Sequence, residues 1–240
     1  MKEVRPLIGI PAVPTYDDEQ DAIMALYQDY KDVVYQNGGI PFLINPIAKE
    51  DYVNTRLRNM KPLTTEEKEL YYEMTDMCAG IIIPGGYKIH LFAEEIAKYA
   101  IRKDIPILGV CLGMQLLAKI ENNKNVLVRN ETPIEHKQRG EQYVHDLNIV
   151  DGTKLHEILQ KDTIRVNSVH HFHISHVNHF KVNSYSEDGL IEGIELPSKK
   201  FVIGVQWHPE KMIEYDENAN RLWHAFMEEA KKKKFIENKI

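Results

Sequence analysis

Ile107-Leu108-Gly109-Val110-Cys111-Leu112-Gly113-Met114-Gln115 is the stretch on which the reading of this chain turns. An apolar run of strand length is followed by Gly-x-Cys-x-Gly, and then by Leu116, Leu117 and Ile120 at helical spacing. This is the cysteine form of a nucleophile elbow. A sharp strand-to-helix turn holds one side chain in a strained, accessible position, and small residues two before and two after it let neighbouring segments come close. The helix N-terminus beside the sulfur stabilises negative charge there. The alternative is that Cys111 is a small buried hydrophobe between two helix-packing glycines. Cys78, the other of the two cysteines, has no such frame and is expected to be inert.

A thiol nucleophile needs a general base or imidazolium partner, oriented in turn by a third group. Of the 11 histidines, His208 follows an apolar strand in Val202-Ile203-Gly204-Val205-Gln206-Trp207-His208-Pro209-Glu210. A ring at a strand end points from a rigid element into a cleft. Pro209 fixes the chain direction, and Glu210 can then reach the second imidazole nitrogen. Alone, this is equally a strand-ending histidine beside a surface carboxylate; together with the elbow it reads as a catalytic pair.

Working outward, short apolar runs alternate with longer amphipathic ones, as in a sheet covered by helices. Strands are expected at Leu7–Ile10, Ile40–Ile44, Ile81–Ile83, Ile105–Val110, Asn125–Arg129, Val144–Val150, Thr163–Val169, Phe180–Tyr185 and Phe201–Gln206. Helices are expected over Ala22–Gln36, Phe92–Ile101, Gly113–Ile120 and Lys154–Leu159. A final helix carries Leu222, Trp223, Phe226 and Met227 on one face, and the polar stretch Ala48–Glu73 is a surface helix or excursion. The expected architecture is α/β, a flavodoxin-like three-layer fold with a central, mostly parallel sheet, formed by one domain over residues 1–240. Its site belongs at the strand C-termini.

Thirty basic against 36 acidic residues give a net charge of -6, which argues against nucleic acid as a partner. No apolar run suits a membrane span, and Met1-Lys2-Glu3-Val4-Arg5-Pro6 lacks the apolar stretch of a secretory signal. With so few cysteines, the cytoplasm is the expected location.

The two catalytic stretches, Gly109–Gln115 and Gly204–Glu210, together resemble the class I glutamine amidotransferase superfamily. Within it the chain is most similar to the gamma-glutamyl hydrolase branch, which includes gamma-glutamyl-aminobutyrate hydrolases and counts as cysteine peptidases of the C26 type. Ile8-Gly9-Ile10-Pro11-Ala12, Asn37-Gly38-Gly39 before Ile40-Pro41, and Val166-Asn167-Ser168-Val169-His170-His171 favour that branch. The resemblance implies Cys111 as nucleophile, His208 as base and Glu210 as its orienter. It implies an oxyanion hole from the backbone N–H groups of Gly86 and Leu112. It also implies substrate contacts from Gly85, Gln115, Ser168, Val169, His170 and His171. Leu112 stands where the hydrolase branch usually has Arg, and Tyr87-Lys88-Ile89-His90 lacks the branch's Asp and Pro.

His170, His171, His173, His176 and His179 crowd ten residues. No cysteine and few carboxylates lie nearby in sequence to complete a tetrahedral set, so the expectation is no metal and no cofactor. The implied reaction is hydrolysis of a gamma-glutamyl amide through a gamma-glutamyl thioester, with a small gamma-glutamyl substrate as partner. A homodimer is left open. One alternative is a glutaminase subunit that delivers ammonia to a separate synthetase chain; another is a non-catalytic binding or regulatory protein on the same fold.

Overall fold

The computed structural model describes residues 5–122 and 126–237; Met1–Val4, on which part of the signal-peptide reading rests, and Asn125, the expected start of a strand, lie outside the described residues. In chain order the strands are β1 (Leu7–Pro11), β2 (Val13–Tyr16), β3 (Ala22–Ala25), β4 (Ile40–Ile44), β5 (Gly80–Ile83), β6 (Ile107–Val110), β7 (Leu127–Arg129), β8 (His145–Ile149), β9 (Thr163–Val166), β10 (Phe172–Ile174), β11 (Lys181–Ser186), β12 (Ile191–Glu195) and β13 (Val202–Val205). The helices are α1 (Gln28–Gln36), α2 (Thr65–Asp76), α3 (Leu91–Arg102), α4 (Leu112–Asn122), α5 (Lys154–Leu159) and α6 (Glu217–Glu237).

Eleven strands form one mixed sheet along the path β4-β1-β5-β6-β13-β12-β11-β8-β9, with β10 and β7 joined to it beside β12. From β4 to β13 neighbours are parallel; from β13 to β9 they are antiparallel. The parallel strands are apolar almost throughout because both faces are covered. Ile81 and Ile83 face α2, α3 and α4, packing with Tyr71, Phe92, Ile96 and Leu117. Ile82, Leu108 and Val110 face α1, α5 and α6, packing with Val34, Trp223 and Phe226. The result is the three-layer α/β fold expected, and no described helix is long and apolar enough to cross a membrane.

One expectation is corrected. Ala22–Ala25 is not the start of a helix but a strand paired antiparallel with β2, turned by Asp17, whose carboxylate accepts from the N–H groups of Glu19 and Asp21. Its four residues cannot distinguish a period of 2 from one of 3.6, and α1 begins only at Gln28. The polar excursion closes in α2, started by a capping box in which Thr64 and Glu67 satisfy one another's backbone N–H.

Candidate active site

Between β6 and α4 the chain turns at Cys111, with φ +52°, in the left-handed region that costs a non-glycine residue about 1–2 kcal/mol. The turn is pinned at both ends: Cys111 N–H donates to Val205 O at 2.7 Å, and its carbonyl accepts from Gln115 N–H at 3.1 Å. Its small neighbours are required by close approach. A Cβ on Gly113 would sit 2.1 Å from the carbonyl oxygen of Ile83, and one on Gly109 would meet the Gly113 backbone at 2.9 Å. The start of α4 thus lies directly against the ends of β5 and β6, which aims the Cys111 side chain along the C-terminal edge of the sheet.

His208 leaves the adjacent strand end, three residues beyond β13. Its Nδ1 is 2.7 Å from Glu210 Oε1, so the ring donates there and leaves Nε2 for the Cys111 side, where the nearby sulfur favours the charged ring. Burial works against a charged ring, yet Glu210 and the Cys111 thiol outweigh it, and His208 holds its proton well above the ordinary histidine range. Its backbone is held as firmly as its ring. Asn167 donates through Nδ2 to His208 O at 2.9 Å and accepts from His208 N–H at 2.8 Å, in the manner of a strand partner.

Gly85 packs against both groups: a Cβ there would lie 2.9 Å from His208 Cε1 and 3.5 Å from Cys111 Cβ. Its N–H is taken by the Tyr30 hydroxyl at 2.9 Å, which fixes the loop after β5. Tyr30 is fully buried facing Glu210; burial first, and the Glu210 charge second, push its hydroxyl well above the usual tyrosine range. Gly86 and Leu112 are neighbours, with 3.4 Å from a Gly86 Cβ to Leu112 Cδ2. As the first residue of α4, Leu112 carries an N–H without an intrahelical acceptor. An apolar cleft lined by Val13, Ile83, Gly86, Ile89, Ala93 and Leu112 opens beside this turn.

Cys111, His208, Glu210, Gly85, Gly86 and Leu112 therefore converge. The other implied substrate contacts divide. Gln115 is buried and its amide donates to Phe172 O and Gln206 Oε1, both at 3.1 Å, tying α4 to β10 and to the residue just past β13. Val169 bridges to Lys137, and His171 is exposed. The side chains of Ser168 and His170 both turn inward. Ser168 is fully buried with its hydroxyl on His136 O at 2.9 Å, and His170 lies 3.1 Å from the buried Glu192. Cys78 is buried under β1, and burial pushes its thiol up to about 12, in keeping with an inert residue. Tyr30 and Asn167 had no assigned role in the sequence. Tyr30 sits on the apolar face of a helix and reads as core, and no spacing rule announces that its hydroxyl reaches a loop 55 residues away.

The family described as Peptidase C26 matches residues 6–210. A glutamine amidotransferase-like protein of Rickettsia prowazekii is 29% identical over 78% of this chain and 82% of its own length. A CTP synthase of Staphylococcus aureus is 27% identical over 85% of this chain, which spans only 41% of that larger protein. Among solved structures, the glutaminase domain of a Trypanosoma brucei CTPS with bound acivicin superposes with a TM-score of 0.61 at 17% identity, covering 95% of this chain and 94% of that one. The fold is that of glutamine amidotransferases.

Proposed function

The chain belongs to the Peptidase C26 family, whose members act on amide bonds, and from that premise we propose that it hydrolyses a gamma-glutamyl amide by way of a thioester on Cys111. The observation that carries this reading is the meeting of the Cys111 thiol, at its left-handed turn, with an imidazole braced by Glu210 at 2.7 Å.

The steps follow from the groups present. The charged His208 already carries the proton at Nε2, and the Cys111 sulfur attacks the amide carbonyl as the thiolate. The oxyanion that forms accepts from the N–H groups of Gly86 and Leu112; loss of one such donor typically costs about 3–4 kcal/mol in the transition state. His208 gives its proton to the leaving amine as the C–N bond breaks, then takes one from water, which attacks the thioester and releases glutamate and the thiolate. Glu210 keeps the ring in the tautomer this needs, and Asn167 holds the backbone that carries it.

A second reading, a glutaminase that passes ammonia to a separate synthetase chain, is favoured by Leu112 at the position after the nucleophile and by the likeness to a CTP synthase. Turnover of gamma-glutamyl-aminobutyrate and of glutamine by the purified chain alone distinguishes the two. Release of amine without a partner is the expected result. Glutamine hydrolysis that starts only when a synthetase chain is added would replace the first reading with the second.

A further inference from the structure

β12 carries two buried carboxylates, and their surroundings differ. Glu195 accepts from the N–H groups of Lys154 at 2.8 Å and Leu155 at 3.1 Å, at the start of α5, and from Asn183 at 3.3 Å. Glu192 is completely buried, and neither of its oxygens receives a hydrogen bond. Three buried imidazoles surround it: His136, His145 and His170. One donor atom from each of the four residues lies within 4.8 Å of all the others.

The outer nitrogens of the three rings are already committed. His136 Nε2 is 3.0 Å from Asp188 Oδ2, His145 Nδ1 is 3.2 Å from Asp146 O, and His170 Nδ1 is 3.0 Å from Phe172 O. The Asn130 amide also nears His170 Nδ1, at 3.3 Å, but the carbonyl contact is the shorter. An oxygen acceptor demands N–H, so in the neutral rings the inner nitrogens are lone pairs. They are His136 Nδ1, which the Ser168 hydroxyl nears at 3.3 Å, and His145 Nε2 and His170 Nε2, which have no hydrogen-bond partner. His170 Nε2 and His136 Nδ1 stand 3.1 and 3.7 Å from Glu192 Oε1. Three lone pairs and a carboxylate converging in a buried site repel one another unless a cation sits among them, and one proton bridges only two of the four.

We propose that His136, His145, His170 and Glu192 form a buried divalent transition-metal site, suited to zinc. Zinc–nitrogen bonds of about 2.0–2.1 Å give tetrahedral edges of about 3.3–3.4 Å, a spacing that the two contacts to Glu192, at 3.1 and 3.7 Å, fall on either side of. Three imidazoles and one carboxylate match zinc rather than magnesium or calcium, which prefer all-oxygen sets. Each ring's distal N–H rests on a carboxylate or carbonyl, the support that metal-binding histidines ordinarily have. Four protein ligands close the site, so its role is structural. It would join the 130–140 loop, β8 and β12 to the segment from Asn167 to His170, whose Asn167 holds His208.

The test uses the full chain carrying Cys111→Ala, so that the thiolate cannot serve as a ligand. After exposure to Zn²⁺ or Co²⁺ and removal of loose metal, one equivalent per chain is expected, with the intense visible bands of tetrahedral Co²⁺ and a raised Tm. His145→Ala and Glu192→Gln are expected to weaken binding at least 10-fold, and Asp188→Asn about 10–100-fold. His176→Ala, on an exposed loop residue, should change nothing. Absence of stoichiometric metal and of tetrahedral bands in the parent chain, whatever the variants do, overturns the proposal in favour of a proton-bridged cluster. So does metal that remains bound in both His145→Ala and Glu192→Gln. Neither result bears on amide hydrolysis.

Discussion

On the parallel side of β13 the strands are apolar: Ile81, Ile82 and Ile83 in β5, Ile107, Leu108 and Val110 in β6, all buried. On the antiparallel side the same sheet buries Asn183, Ser184 and Ser186 in β11 and Glu192 and Glu195 in β12. In the first region chemistry enters only where strands end, through a left-handed residue at Cys111 and a histidine just past β13. A rigid apolar frame supports a strained turn because nothing else in it needs satisfying. In the second region every interior polar atom needs a partner, so its stability rests on particular pairings rather than on area. Asn167 joins the two, lying in the segment that leads to His170 while holding His208 from the other side.

The largest effect that sharpens this contrast is on turnover. Cys111→Ala is expected to lose about 10⁴-fold or more of the amide hydrolysis while keeping its circular dichroism. Cys111→Gly, equally inactive, should be more stable than Cys111→Ala by about 1 kcal/mol in urea unfolding, because glycine relieves the positive φ. Equal stabilities would remove strain from the description of the elbow.

Next come two glycines, one from each region. Gly113→Ala drives a Cβ into backbone, the Ile83 carbonyl at 2.1 Å, and should cost about 3 kcal/mol or more. Gly193→Ala meets side chains instead, Asn183 Oδ1 at 2.0 Å and Ser184 Oγ at 2.5 Å, which can turn away at the expense of the Asn183–Glu195 bond; about 1–2 kcal/mol is expected. The reverse order in denaturant midpoints would contradict the picture of a rigid parallel half and a more adaptable antiparallel one.

Asn167→Ala should lower kcat about 10–100-fold with little change in KM, since it lets His208 drift without touching substrate. Asn167→Asp keeps the acceptor for His208 N–H and should recover part of the loss. A change confined to KM would make Asn167 a substrate contact instead.

The smallest effect is a pH dependence. His208's pKa in the folded chain lies above its unfolded value of about 6.5, so the charged ring stabilises the fold fully below that pH and loses this contribution as pH rises through the folded value. The stability gap between the parent and Glu210→Gln should therefore be wider at pH 6 than at pH 10. A gap that widened with pH would mean the ring is not held protonated by Glu210.

Much of the parallel half was legible in the sequence because its rules are local. Ile81–Ile83 and Ile107–Val110 are bounded apolar runs, and Gly109, Cys111 and Gly113 sit at the spacing that a sharp turn imposes. His208 and Glu210 are two residues apart, so their pairing could be read directly. The antiparallel half resisted for physical reasons. The run from His170 to His179 drew attention as one histidine cluster, yet the structure sends only His170 inward, beside His136 and His145 from 34 and 25 residues upstream; His171 and His176 face solvent. Period and composition do not encode such long-range convergence. A signal did exist in Ile191-Glu192-Gly193-Ile194, a carboxylate inside an apolar run, which demands a buried partner. Ala22–Ala25 failed for the opposite reason: too short to show its period, it took its conformation from β2.

The most direct test of the central claim, that Cys111 and His208 work as one unit on a gamma-glutamyl carbonyl, is intact-protein and peptide mass spectrometry of the chain quenched in acid during turnover of a gamma-glutamyl amide. A single added gamma-glutamyl group on the peptide containing Cys111, absent when His208 is replaced by Ala, is the predicted result. A chain that turns over substrate with Cys111 unmodified, or that carries the label on Cys78, would contradict it.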